Sequence, residues 1–169
     1  MKPRNEVPYF LLASHLASLA RQLRFAGFDC RILSSVEDKA LPRILSGEER
    51  HLLTRIRAPL PPALEGRTLH LRSPQLDAQM LEVAQAFDLQ ASFNPFSRCI
   101  LCNKPLKKLS MKEVKKEQAK GKIPAALTEK QYDFRHCPDC GRIYWPGDHY
   151  RRMKRRWEEI FEKISEEKE

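Results

Sequence analysis

Four of the five cysteines fall into two matching units, Cys99-Ile-Leu-Cys102 and Cys137-Pro-Asp-Cys140. Two residues between thiols let both sulfurs of a unit reach one ion, and two such units complete a tetrahedron of thiolates. The expected ion is zinc. Four protein ligands leave no open position, so its expected role is structural rather than catalytic. The alternative is four unliganded cysteines or a disulfide pair; a disulfide framework would suit an oxidising compartment and an even cysteine count. A redox C-x-x-C would have no use for a second unit. His136, beside Cys137, is a competing ligand by type, but is expected at the surface or behind the ligands. Cys30 is left over and is expected as a buried strand residue.

The cations are as unevenly placed as the cysteines. The formal net charge is +9, with a net of +2 over residues 1–97, +11 over 98–156 and −4 over 157–169. The positive charge therefore lies on the cysteine-bearing segment and is followed by an acidic tail. Such a balance points to a polyanionic partner, nucleic acid first, against the plainer reading of a solvated basic surface.

Lys2 and Arg4 before the apolar run Tyr9 to Ala20 faintly resemble a secretory leader. Glu6, Pro8 and His15, and a helical periodicity that continues to Leu23, argue against one. No stretch has the length of a membrane span. The expected location is the cytoplasm, with no membrane partner.

The elements that must position these residues read from the N-terminus as short strands alternating with amphipathic helices. Residues 8–12 form an apolar run expected to be a buried strand. Ser14 is placed to cap a helix whose Leu16, Leu19, Ala20 and Leu23 share one face. Gly27 is placed to end that helix. Strands are expected over 29–33, 51–55 and 68–71. A short helix is expected over 38–46, and another behind the Ser73-Pro74 start, with Leu76, Met80, Val83, Ala84 and Phe87 as its stripe.

This βα alternation predicts an α/β fold with a three-layer parallel sheet. Such sheets place ligands beyond the carboxyl ends of their strands. The segments to inspect are Ala13 to His15, Ser34 to Asp38 and Arg55 to Arg57. The expected organisation is an α/β domain over 8–92 and a zinc ribbon over 98–150. The 34 residues between the cysteine units include a lysine-rich insertion with a helix near 111–120. A basic-then-acidic helix follows over 151–169.

Leu19-Ala20-Arg21-Gln22-Leu23-Arg24-Phe25-Ala26-Gly27-Phe28-Asp29 resembles the "LARWLRLLGYDT" segment of the mutator-7 C-terminal RNase domain family. Leu52-Leu53-Thr54-Arg55 resembles its "LLTRD" strand end. The run from Cys137 through Ile143-Tyr144-Trp145 to Gly147-Asp148-His149 resembles its zinc ribbon and closing "YWxGSH". The resemblance implies a PIN-like nuclease core followed by a four-cysteine zinc ribbon. It also implies a ribonuclease that uses Mg²⁺ or Mn²⁺ held by carboxylates at strand ends.

The chain departs from that pattern at the expected acids. Ala13 stands where the family's "FLVDAML" has Asp, and Ile56 where "LLTRD" ends in Asp. Asp38, with Glu37 beside it, is the acidic position that remains. One pair is a poor cage for a hard dication, and helix capping is its ordinary alternative. His15, near the lost acid, is a candidate acid or base without metal; its ordinary alternative is a polar residue on the exposed side of a helix start.

Candidate nucleic-acid contacts are Arg21, Arg24, Arg55 and Arg57, expected near the strand ends. Lys107, Lys108 and Arg142 on the ribbon join them, as do Arg151, Arg152 and Arg155 on the last helix. Tyr144, Trp145 and Tyr150 interleave with these cations and can stack on unpaired bases, though Trp145 equally suits the ribbon's core. RNA is the partner that the resemblance favours. The alternative function is a non-catalytic module docking on a ribonucleoprotein assembly such as a ribosome.

Overall fold

In the computed structural model the described residues are 7–33, 49–57, 59–60, 62–64, 66–128 and 132–167. Four strands, β1 (Tyr9–Ala13), β2 (Cys30–Leu33), β3 (Arg50–Thr54) and β4 (Thr68–His70), form one sheet in the order β2-β1-β3-β4. All its pairings are parallel, with Phe10 opposite both Cys30 and His51 and Leu52 opposite Thr68. A parallel sheet is covered on both faces, which explains the unbroken apolar run of β1. Phe10, Leu12, Cys30 and Leu53 point to one face; Leu11, Leu33 and Leu52 point to the other, against Leu64.

The first face is covered by α1 (Ala17–Phe25), α2 (Leu76–Phe87) and, from the far end of the chain, α5 (Asp148–Glu166). Met153, Trp157, Ile160, Phe161 and Ile164 form the buried stripe of α5. Trp157 is fully buried, and its indole N–H donates to the Gln22 carbonyl at 3.2 Å. The last helix is therefore part of the α/β core and not an appendage after the ribbon.

The expected helix over 38–46 lies outside the described residues, as do Glu37 and Asp38. Two helix starts differ from expectation. Ser14 sits inside a 3₁₀ turn, Ser14–Leu16, and makes no side-chain cap; α1 begins at Ala17. α2 begins beyond the Ser73-Pro74 pair because Glu82 reaches back to accept the backbone N–H groups of Arg72 (2.9 Å) and Ser73 (3.1 Å). That bracing leaves Gln75 as the cap residue.

The ribbon consists of β5 (Lys107–Lys108), β6 (Arg135–His136) and β7 (Ile143–Tyr144), paired antiparallel in that order. Its insertion carries α3 (Met111–Ala119) and α4 (Ala125–Thr128). Ser110 and Glu113 form a reciprocal capping box at the start of α3. Leu109, Val114, Ile123 and Phe134 make a separate small core.

Candidate metal centre and nucleic-acid interface

The two cysteine loops are near copies of one another. In the first, Asn103 N–H donates to the Cys99 carbonyl (3.0 Å) and Cys99 N–H to the Lys104 carbonyl (2.8 Å). In the second, Gly141 donates to Cys137 (2.9 Å) and Cys137 to Arg142 (2.9 Å). Each loop turns on a left-handed residue, Asn103 at φ 65° and Gly141 at φ 68°.

The four Sγ atoms lie within 4.8 Å of one another, with Cys99 to Cys140 at 3.8 Å and Cys102 to Cys137 at 3.2 Å. A tetrahedron with metal–sulfur bonds of about 2.3 Å has edges of about 3.8 Å, so the set fits one ion. Burial pushes the Cys99 thiol up. Donation from the Cys102 backbone and the Tyr144 hydroxyl (3.0 Å) outweighs this and brings it down to about 7. His136 lies on β6 and is not among the clustered ligands.

Arg24, expected as a phosphate contact, and Asn103, Asp29, Arg50 and Arg98, which sequence reasoning gave no role, join the first loop to the sheet. Arg24 is buried at 7% exposure. It donates to the Cys30 carbonyl from Nε (3.0 Å) and Nη2 (2.8 Å), and from Nη1 to the carbonyls of Leu101 (2.6 Å) and Ile100 (3.2 Å). This corrects its expected role as a phosphate contact: its guanidinium is committed to backbone carbonyls on both bodies.

Asn103 accepts the Cys30 N–H through Oδ1 (3.0 Å) and donates from Nδ2 to Asp29 (2.9 Å). Asp29 also pairs with fully buried Arg50 (2.8 Å) and with Arg98 (3.3 Å). Burial alone would raise the Asp29 carboxyl, but hydrogen bonds from Arg50 and Asn103 and the charges of Arg50 and Arg98 hold it below its ordinary value. Cys30 is a buried strand residue, as expected, and its thiol is pushed up by burial. No local pattern marks this network, because its partners lie up to 77 residues apart.

This network grips the amino ends of the strands, at Asp29, Cys30 and Arg50. The carboxyl ends form the opposite edge, a strand length away (about 15 Å). There β1 runs into Ala13, Ser14 and His15, and β3 into Arg55, Ile56 and Arg57. His15 Nε2 accepts the Arg55 N–H at 3.3 Å. His15, Arg55 and Arg57 are exposed, and so is Arg21 on α1. The four arginines expected to cluster are therefore divided, with Arg24 at the other edge.

On the ribbon, Lys107, Lys108 and Arg142 are exposed, Lys108 paired with Asp133 at 3.4 Å. On α5, Arg151, Arg152 and Arg155 are exposed on the side away from the buried stripe, and Arg151 pairs with Asp148 at 2.6 Å. Trp145 packs on the ribbon core beside Phe134 while staying partly exposed. Among the described residues no helix is long and apolar enough to cross a membrane.

A family model described as the Mut7-C RNAse domain matches residues 8–157, spanning the sheet, both cysteine loops and most of the basic part of α5. Comparison with curated proteins and with solved structures gives no match.

Proposed function

Since this chain belongs to the Mut7-C RNAse domain family, we propose that it is an RNA-binding protein of nuclease descent, with a structural zinc ion and with cleavage that is weak or absent. The observation that carries this reading is the chemistry at the carboxyl ends of β1 and β3. The resemblance implies aspartates there, whereas this chain has Ala13 and Ile56, flanked by His15, Arg55 and Arg57. Arginines and a histidine attract a phosphate backbone but do not cage a dication.

Mg²⁺ and Mn²⁺ want several oxygen ligands. Among the described residues the one cluster able to hold a metal is the cysteine set. Glu82 approaches the end of β4, but its carboxylate is bound to backbone N–H groups. The described strand ends therefore do not fit a hard dication. The cysteine set fits zinc: closed, soft and held by two turns of identical hydrogen bonding.

RNA binding is tested by the salt dependence of affinity for labelled single-stranded and hairpin RNA. Each lost phosphate contact removes roughly one from the slope of log affinity against log salt. Arg55→Gln and Arg57→Gln should each lower the slope by about that amount. No RNA affinity at low salt, with stable co-purification of a protein partner, would replace this reading with that of a docking module.

A further inference from the structure

Between the ribbon and the start of α5 lies a cleft of about 380 Å³, walled by Phe25, Phe96, Ile100, Trp145 and Tyr150, with Arg98 among its polar groups. It is the seam between the two hydrophobic cores, left open although Arg24 and Asn103 tie the same bodies together nearby. Its volume is at the lower end for small-ligand clefts, roughly 300–1,000 Å³, which suits one planar group. We propose that this cleft receives a single unpaired nucleobase from a bound RNA strand, an inference that rests on the RNA-binding reading above.

Three observations lead there. First, the aromatic walls brace one another. Tyr150 meets Phe25 and Phe96 edge-on, with ring centroids 5.4 Å and 5.2 Å away. The Tyr144 hydroxyl, on the same cleft, is bound to the Cys99 sulfur. At Gly147 an added Cβ would lie 2.8 Å from the Trp145 Nε1, so glycine lets the indole lie against the chain entering α5. Rigid aromatic walls stack on any base, because every base has a π face.

Second, Phe96 has a φ of 70°, a left-handed conformation that is strained for a bulky residue. Its surroundings over-determine it. The Arg135 guanidinium lies 4.9 Å from the ring centroid and donates to the Phe96 carbonyl at 2.7 Å. Strain retained in this way at a cleft wall is a mark of a binding position.

Third, Arg98 in the lining and the exposed arginines next to lining residues along the chain favour an anionic strand as the occupant. Arg142 directly precedes Ile143 and Arg152 lies two residues after Tyr150 along the chain, both exposed, while Arg151 pairs with Asp148, the one acid in the lining. An apolar slot beside cations suits a base whose flanking phosphates stay outside. His149, also on the cleft, supplies a hydrogen-bonding group for a base edge.

The test uses the full chain with its metal and a short oligoribonucleotide carrying one photoreactive thiouridine. Crosslinks are mapped on the unmodified protein, and affinity is compared for Tyr150→Leu and Trp145→Leu, with metal content checked to show that each variant is folded. Crosslinks are expected at Phe96, Trp145 or Tyr150. The expected loss of affinity is on the order of tenfold for each variant, with an unchanged salt slope. Binding with crosslinks only elsewhere and unchanged affinity in folded variants would overturn the cleft and leave the RNA reading standing. No RNA binding by the unmodified chain would overturn both.

Discussion

Asp29 carries more of this structure than its type suggests. It neutralises Arg50, which is fully buried, and it anchors Arg98 and Asn103 beside the first cysteine loop. Removing one partner of a buried pair leaves a charge without compensation. Asp29→Asn should lower stability by about 3 kcal/mol in chemical denaturation. Because the folded carboxyl lies below its ordinary value, its contribution is complete above the unfolded value of about 3.9. It is lost as pH falls from there through the lowered folded value. Denaturation midpoints should therefore fall in acid below about pH 4, and fall less in Asp29→Asn. The sequence marks none of this pairing: Asp29 is one acid after a glycine turn, and Arg50 ends the charged run Glu48-Glu49-Arg50. The four cysteines were legible because metal geometry constrains spacing along the chain, while a salt bridge between strand starts constrains only distance in space.

At the scale of elements, the two cysteine loops turn identically but differ in what their left-handed residue does. Gly141 supplies only the turn, whereas the Asn103 side chain also bonds Asp29 and Cys30. Asn103→Gly should therefore keep the metal while weakening the join, by about 1–2 kcal/mol across its two hydrogen bonds. Equal metal content with a lower denaturation midpoint is the expected outcome. The amphipathic stripe of α5 was readable, but its destination was not: periodicity shows that a face is buried, not against what. Trp157 seals α5 onto α1, and Trp157→Ala should cost about 3–5 kcal/mol. Limited proteolysis should then cut first within α5. The strands of the α/β body were legible to within a residue or two, because a parallel sheet needs continuous apolar runs. The capping of α1 and α2 was not, because Glu82 bonds the chain ahead of α2 from ten residues away.

Among the described residues, an α/β body with an apolar cluster on each face of its sheet is joined at the amino ends of the strands to a ribbon with its own small core, with basic groups at both ends of the strands. One end holds His15, Arg55 and Arg57; the other leads through the ribbon to α5. A metal on the four cysteines would stabilise the ribbon directly and the join indirectly, since Arg24 grips carbonyls within the first cysteine loop. Chelation should unfold the ribbon, changing Trp145 fluorescence, while the α/β body with Trp157 persists at reduced stability. A melt in which both cores are unaffected by chelator would contradict that coupling. The central claim is that a nuclease fold has kept RNA and lost its cage of carboxylates. Its most direct test incubates the metal-loaded chain with labelled RNA in Mg²⁺, in Mn²⁺ and in chelator, beside Asp38→Asn. RNA that is retarded but intact under every condition is the predicted result; metal-dependent cleavage that disappears in Asp38→Asn would contradict it.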